Sequence, residues 1–237
     1  SSMRTLLAGM VFALSPMSAA NAVTPFTVSL EAERPGIQES RTGFHAVGVE
    51  RFEDVKPGTG LELTSSFGGS AFTGRYTGLE VRGANQFGGA DGTGQYAVTF
   101  NQAGYSIDLS TSRPGGVTYF GFWLSALDGG NEVSFFNQGT RLFTFTAQDA
   151  KRFIDSLPDG QGFYCNPNSA FAGRNCGEPY AFLNFYARGG GRFDRVVFNQ
   201  VRGGGYESDN HTVGQWRRIS GTVINVPGTV TAVPEPS

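Results

Sequence analysis

The chain has 237 residues, of which 16% are charged, and its formal net charge is −2. Because binding to nucleic-acid phosphates requires clustered Lys and Arg, this small negative charge argues against a nucleic-acid surface. Glycine, with 35 residues, has about twice its usual share. The chain also contains 21 phenylalanines and only 3 methionines, a composition that favours short strands and Gly-rich turns over long surface helices.

The N-terminal segment has the three parts of a secretory signal peptide. Arg4 follows Met3, an apolar run extends from Leu6 to Leu14, and small residues end in Ala20-Asn21-Ala22. The apolar run is too short to span a membrane, whereas this order of parts is typical of a leader removed on export. We predict a signal peptide over residues 1–22, with a buried N-terminal helix as the alternative, and therefore a secreted protein.

Short aromatic and β-branched runs between Gly-rich turns predict an all-β fold. Several of these runs alternate strictly, as strands with two distinct faces do. Their regular spacing is typical of a two-sheet sandwich. We predict a single jelly-roll-like β-sandwich over residues 23–225, with one short helix and a disulfide-closed loop. The predicted strands cover residues 27–31, 47–52, 95–100, 105–109, 117–124, 132–136, 141–146, 180–187, 193–198 and 216–223.

A predicted hairpin leads directly into the predicted helix. Residues 131–145 form two alternating runs around the turn sequence Asn137-Gln138-Gly139-Thr140. Thr146 then stands as a helix N-cap with Asp149 three positions later, and Pro158 stops the helical stretch. We expect this helix to close one end of the sandwich.

The two cysteines, Cys165 and Cys176, bracket a polar loop rich in Gly, Asn and Pro. An exported chain meets oxidising conditions, so we predict a disulfide between them. A metal site would need two further soft ligands, and His45 and His211 are the only histidines. A catalytic thiol paired with His211 is the remaining alternative.

Acidic residues in three segments form the most distinctive polar pattern. Glu207 and Asp209 alternate, which places them on one face of an extended chain, and Asn210 follows. Glu53 ends an early strand, and Asp128 begins a Gly-rich turn. Since calcium is bound by carboxylate and amide oxygens, these five residues are predicted as a calcium site. The alternative is that Asp128, Asp209 and Asn210 are turn formers that bond to their own backbone.

No catalytic signature of the common hydrolases, zinc enzymes or nucleotide-binding proteins is present. The sequence lacks G-x-S-x-G, H-E-x-x-H, P-loop and EF-hand patterns. Residues 88–94 are Gly-rich, but a predicted strand follows them, whereas a phosphate loop leads into a helix. Trp123 and Trp216 are predicted as platforms for stacking on sugars, with burial in the core as the alternative.

The C-terminal residues Val233-Pro234-Glu235-Pro236-Ser237 follow a stretch that we interpret as a tether. Together with the leader, they resemble the start of the PEP-CTERM sorting signal of exosortase-dependent bacterial surface proteins. Residues 226–237 are thus predicted as a linker and the beginning of that signal. The resemblance implies processing by the exosortase machinery and a location at the cell surface of a Gram-negative-type bacterium.

A wider resemblance covers most of the chain between Val47 and Val223. Four segments in order, residues 85–94, 120–131, 178–185 and 207–213, are similar to a family of exosortase-dependent surface proteins of unassigned function. The resemblance implies export and a single β domain, and it assigns no catalytic or binding residue.

We therefore predict an exported, exosortase-processed surface or extracellular-matrix protein without catalytic activity, braced by calcium and binding extracellular polysaccharide. One alternative is a secreted glycan-active enzyme on the same scaffold, with Glu53 paired with Glu207 or Asp209, because glycoside hydrolysis uses two carboxyl groups across a cleft. The other is a structural protein that self-associates through exposed strand edges.

Overall fold

The computed structural model describes residues 24–31, 36–100 and 102–231. The predicted signal peptide and the Val-Pro-Glu-Pro tail lie outside these residues, so both stay predictions. None of the helices in the described ranges has the length and apolar character that a membrane crossing requires.

The described chain forms thirteen strands and one α-helix. The strands are β1 (Phe26–Leu30), β2 (Gly43–Glu50), β3 (Gly58–Ser65), β4 (Phe72–Gly83), β5 (Gln95–Thr99), β6 (Tyr105–Thr111), β7 (Tyr119–Ser125), β8 (Asn131–Asn137), β9 (Thr140–Thr146), β10 (Ala181–Ala187), β11 (Arg195–Gln200), β12 (Tyr206–Arg218) and β13 (Thr222–Ile224). The helix is α1 (Ala147–Ser156), and short 3-10 turns cover Ala90–Gly92, Gly160–Phe163 and Ser169–Phe171.

All of these strands belong to one antiparallel sheet. Its order is β13-β1-β10-β7-β12-β5-β4-β6-β11-β8-β9, with β2 added to β12 and β3 added to β4. The all-β class is therefore confirmed. The division into the two sheets of a jelly roll is not confirmed, because β5 pairs with both β12 and β4 and so joins the two halves by hydrogen bonds.

The sheet curls so that its halves face each other across an aromatic core. Phe135 of β8 contacts Phe185 of β10 with ring centroids 5.0 Å apart, and Phe198 of β11 stacks on His211 of β12 at 5.3 Å. Aromatic rings bury large areas and pack favourably in tilted and stacked pairs. Many of the phenylalanine side chains thus fill the space that the curled sheet encloses.

The predicted hairpin and helix cap are confirmed. Asn137 pairs with Thr140 at the end of β8 and β9, and Gln138 and Gly139 have φ values of 48° and 79°. Two successive positive φ values define the tight turn that matches the strand twist. At the start of α1, the Thr146 hydroxyl accepts a hydrogen bond from the backbone N–H of Asp149.

The segment interpreted as a tether is partly packed, so the predicted domain boundary at residue 225 is too early. Val226 is only 9% exposed and belongs to the core cluster. Thr229 bridges to Phe26, and the N–H of Val230 donates to the carbonyl of Phe26 at 2.8 Å. The folded domain continues to Val230 because these groups extend the sheet beside β1.

Candidate functional site

A cleft of about 240 Å³ opens where β7 ends and β12 begins. Three carboxylates and three aromatic rings face it, with an arginine at its edge. We call it the acidic cleft. Its lining residues are Arg82, Phe87, Tyr96, Phe100, Ala126, Asp128, Glu178, Gly205 and Glu207.

Glu207 occupies the centre of the acidic cleft because β12 lies between β7 and β5. It is opposite Ser125 on one neighbouring strand and Val98 on the other, and it is 6% exposed. Burial raises the pKa of Glu207 to about 8, and the nearby Glu178 and Asp128 add to the rise. Its carboxyl group is therefore largely protonated at neutral pH.

Two consecutive glycines make room for the carboxylates of the acidic cleft. A Cβ atom on Gly204 would collide with the carboxylate of Asp128, and one on Gly205 would collide with that of Glu207. Any other residue at either glycine position would displace an acidic side chain. The carboxylates of Asp128 and Glu207 thus both pack against the backbone of Gly204 and Gly205, just before β12.

An aromatic rim borders the acidic cleft. Phe87 and Phe100 are each 39% exposed, although large apolar side chains are otherwise mostly buried in the described chain. Arg82 lies over the ring of Phe100, with its Cζ 4.4 Å from the centroid. Tyr96 is buried below, and its hydroxyl donates to the Asn85 amide oxygen at 3.3 Å.

The loop closed by the Cys165–Cys176 disulfide, which is present as predicted, supports one wall of the acidic cleft. Asn166 Nδ2 and Tyr180 Oη both donate to the carbonyl of Gln86, at 3.0 and 2.7 Å. Gln86 precedes Phe87 in the Gly-rich segment, and a strand follows that segment, as the sequence predicted. Asn166 of the disulfide loop and Tyr180 beyond it therefore fix the segment that presents Phe87.

Replacing both cysteines by serine is expected to lower the free energy of unfolding by about 3 kcal/mol, because the unfolded chain regains the entropy of an open loop of 11 residues. Urea denaturation of the Cys165→Ser/Cys176→Ser protein measures the loss. Wild-type protein under reducing conditions should show the same decrease. Equal stability of the oxidised wild type and the variant would contradict this expectation.

The structure does not bring the five predicted calcium ligands into one site. Asp128 and Glu207 line the acidic cleft, whereas Glu53 is exposed in a separate groove. Within the described ranges, no group of three or more His, Cys, Asp or Glu side chains is arranged to hold a metal ion. The five residues are therefore not grouped in the described structure, and calcium binding stays a prediction.

Asp209 and Asn210 are engaged in local structure beside the cleft. The Asp209 carboxylate accepts hydrogen bonds from the N–H groups of Ala90 and Asn210, each at 2.7 Å. Burial raises the pKa of Asp209 to about 7, against the opposing effect of these bonds. Asn210 has a φ of 50° at an irregularity in β12, and its amide donates to the Gln38 carbonyl. This bulge turns the amide away from the acidic cleft.

The carboxylates predicted as the catalytic pair of a glycan-active enzyme, Glu53 with Glu207 or Asp209, do not share a cleft. Glu53 belongs to the groove that Glu50 and Asp54 share, and Asp209 is covered by the Gly-rich segment. Among the carboxylates predicted from the sequence, Glu207 and Asp128 face the same cleft, and Glu178 is the partner that sequence reasoning missed.

Of the two tryptophans predicted as stacking platforms, Trp123 lies in the core and Trp216 is partly exposed. Trp123 is fully buried and packs on Tyr180 with ring centroids 5.8 Å apart, so it cannot stack on a ligand. Trp216 is partly exposed, and its Nε1 donates to the carbonyl of Ala187 at 2.8 Å. It packs against Tyr186, outside the acidic cleft.

His211 is fully buried in the core and connects polar groups of facing strands. Its Nδ1 is 2.9 Å from the Tyr76 hydroxyl, and its Nε2 is 2.8 Å from the hydroxyl of Ser208. Burial lowers the pKa of His211 to about 3, so the ring is neutral. Because both cysteines are oxidised, the alternative of a catalytic thiol paired with this histidine is wrong for this structure.

No family model, curated protein or solved structure matches the chain in comparisons with known proteins.

Proposed function

We propose that the protein is an exported surface protein that binds extracellular polysaccharide through the acidic cleft and catalyses no reaction. The observation that carries this proposal is the pair of exposed rings, Phe87 and Phe100, beside a row of carboxylates. The leader and the PEP-CTERM-like tail support export and exosortase processing. Calcium is not part of the proposal.

The acidic cleft offers both kinds of contact that a sugar ring needs. The C–H face of a pyranose packs on an aromatic ring, and its hydroxyl groups donate to carboxylate oxygens. Binding sites commonly combine such apolar walls with a few polar groups that fix orientation. Phe87 and Phe100 supply the first contact, and Asp128, Glu178 and Glu207 supply the second.

Removing either exposed ring by substitution with alanine is expected to weaken glycan binding about tenfold, because one aromatic contact contributes on the order of 1 kcal/mol or more. Glycans that bind the full chain on an array would be titrated by calorimetry against Phe87→Ala and Phe100→Ala. Val47→Ala is the matched control, since Val47 is 43% exposed and lies on β2, away from the cleft. Unchanged affinity in both phenylalanine variants would contradict the proposed site.

One observation favours a second candidate, a glycan-active enzyme at the same cleft. Glu207 is protonated at neutral pH, as a general acid must be, and Asp128 and Glu178 are carboxylates near it. Incubation with every bound glycan, followed by measurement of new reducing ends, separates this candidate from simple binding. Release that Glu207→Gln abolishes would support the enzyme, and no release would reject it.

A further inference from the structure

The disulfide loop holds the segment that carries Phe87 of the acidic cleft. Asn166 Nδ2 donates to the carbonyl of Gln86, and Asn168 Nδ2 donates to that of Gly89, each at 3.0 Å. These two carbonyls stand on either side of Phe87 in the chain. The position of this ring in the cleft therefore depends on two side chains near the start of the loop.

The other end of the same loop holds a carboxylate of the cleft. Asn175, the neighbour of Cys176, donates from Nδ2 to Glu178 Oε2 at 3.1 Å and to Tyr180 Oη at 2.9 Å. Glu178 lines the cleft, and Tyr180 Oη in turn donates to the carbonyl of Gln86 at 2.7 Å. Asparagines at both ends of the loop are thus bonded to the residues that shape the cleft.

The disulfide loop, residues 165–176, has no apolar anchor of its own. All of its residues are described, and the buried side chains among them are Asn166 and Asn168, while the others are exposed or half-buried. Burial of apolar surface is the main compensation for the entropy that a segment loses when it is ordered. The order of this loop therefore depends on the covalent bond that closes it.

The base of the loop is held independently of the disulfide. The N–H of Tyr180 donates to the carbonyl of Phe163 at 2.8 Å, and Tyr164 pairs with Pro179. Phe163 and Tyr180 are both fully buried. Breaking the disulfide thus leaves the two ends of the loop in place and returns conformational freedom to the residues between them.

The disulfide is accessible to a reductant, because Cys176 is exposed and Cys165 is half-buried. Exchange with an external dithiol breaks the Sγ–Sγ bond and leaves a thiol on each cysteine. The dithiol becomes a disulfide, and two electrons and two protons pass from it to the protein. Cys165 has a φ of 76°, which is unfavourable for a residue with a Cβ atom. After reduction it relaxes from the conformation that places Asn166 and Asn168.

We propose that the Cys165–Cys176 disulfide is a redox switch for the acidic cleft. The oxidised loop holds Phe87 and Glu178 in place, and reduction by a dithiol loosens both and weakens ligand binding. The effect on binding rests on the proposed function, whereas the loosening of the cleft requires no ligand.

Amide hydrogen exchange of the full chain, with and without a small dithiol, tests the loosening. The N–H groups of Phe87 and Gly88 donate to Asn85 Oδ1 in the segment that the loop holds. We expect both amides to exchange at least about tenfold faster in the reduced protein, because two hydrogen bonds that support their segment are lost. Unchanged exchange would overturn the switch.

Two variants separate this local effect from a general loss of stability. Cys165→Ser/Cys176→Ser is expected to exchange at the rate of the reduced wild type, with or without the dithiol. Ile107→Ala keeps the disulfide and removes a fully buried side chain of β6, a strand that contributes no residue to the cleft. It should leave the amides of Phe87 and Gly88 at the oxidised rate, and faster exchange there would attribute the effect to stability alone and overturn the switch.

Calorimetry then measures the effect on binding. The probes are the glycans that the oxidised full chain retains on an array, titrated against the oxidised and the reduced protein. We expect the dissociation constant to rise at least about tenfold on reduction, since loss of one aromatic contact has an effect of this size. Equal affinity in both states would overturn the switch and leave the proposed function standing. If no glycan binds, the proposed function fails, and the exchange rates alone decide on the switch.

Discussion

Replacing His211 with alanine is expected to lower the free energy of unfolding by about 3–5 kcal/mol. The ring is fully buried and stacks on Phe198, so its removal leaves a cavity in the centre of the core. The hydroxyl of Tyr76 also loses its bond to the ring, and that of Ser208 keeps only its contact with the Tyr105 hydroxyl at 3.3 Å. Urea denaturation followed by tryptophan fluorescence measures the loss.

His45→Ala is the matched control, because His45 is the other histidine of the chain and is exposed on β2. It is expected to change the stability by less than about 0.5 kcal/mol. Equal stability losses in the two variants would show that the buried network does not stabilise the fold.

Glu207→Gln is expected to stabilise the protein at neutral and alkaline pH. The pKa of Glu207 is raised in the folded state, from 4.5 to about 8. Below pH 4.5 the carboxyl group is protonated in both states, so it contributes its full stability there. Between that pH and about 8 it ionises only when the chain unfolds, and the stability falls by about 1.4 kcal/mol per pH unit. Glutamine, which resembles the protonated acid, avoids this loss.

The measurement is the difference in unfolding free energy between Glu207→Gln and the wild type across the pH range. The difference should be close to zero below pH 4.5 and should grow until the pH passes about 8. Asp209 contributes a similar loss, since burial raises its pKa to about 7, but it is common to both proteins and cancels. A difference that does not depend on pH would contradict the burial of an ionisable Glu207.

The parts of the fold that the sequence predicts correctly are those that depend on neighbouring residues. The turn at Gln138 and Gly139, the cap at Thr146 and the disulfide across a short loop are local features. Strands β5 to β11 also lie close to their predicted positions, because alternating runs such as β6 and continuous apolar runs such as β7 and β10 are local patterns that need no tertiary information.

Strands β3, β4 and most of β12 escaped prediction because their residues do not have the composition of strands. Glycine stands at positions 74, 78 and 83 of β4, and Gly74 is packed so closely against Phe67 that a Cβ atom has no room there. Residues Glu207 to Thr212 are entirely polar, which is typical of an exposed loop. They are buried because polar partners and covering loops come from distant parts of the chain.

The acidic cleft was only partly visible in the sequence for the same reason. Glu207 and Asp128 were recognised as acidic residues in unusual places, but their grouping with Glu178 depends on the disulfide loop folding back over the sheet. Phe87 and Phe100 were overlooked because they differ from the other phenylalanines in being exposed. The sequence of a Gly-rich segment does not show which of its side chains are exposed.

The pairing of β7 with its neighbours sets the direction in which the cleft points. Glu207 lies opposite Ser125, at the last residue of β7, whereas Tyr119 at the first residue pairs with Tyr186, next to the Ala187 that faces Phe26. Val230 is bonded to Phe26, so the two ends of the described domain emerge together, about 20 Å along the strand from the cleft. A protein held through either end would therefore point the acidic cleft away from its attachment.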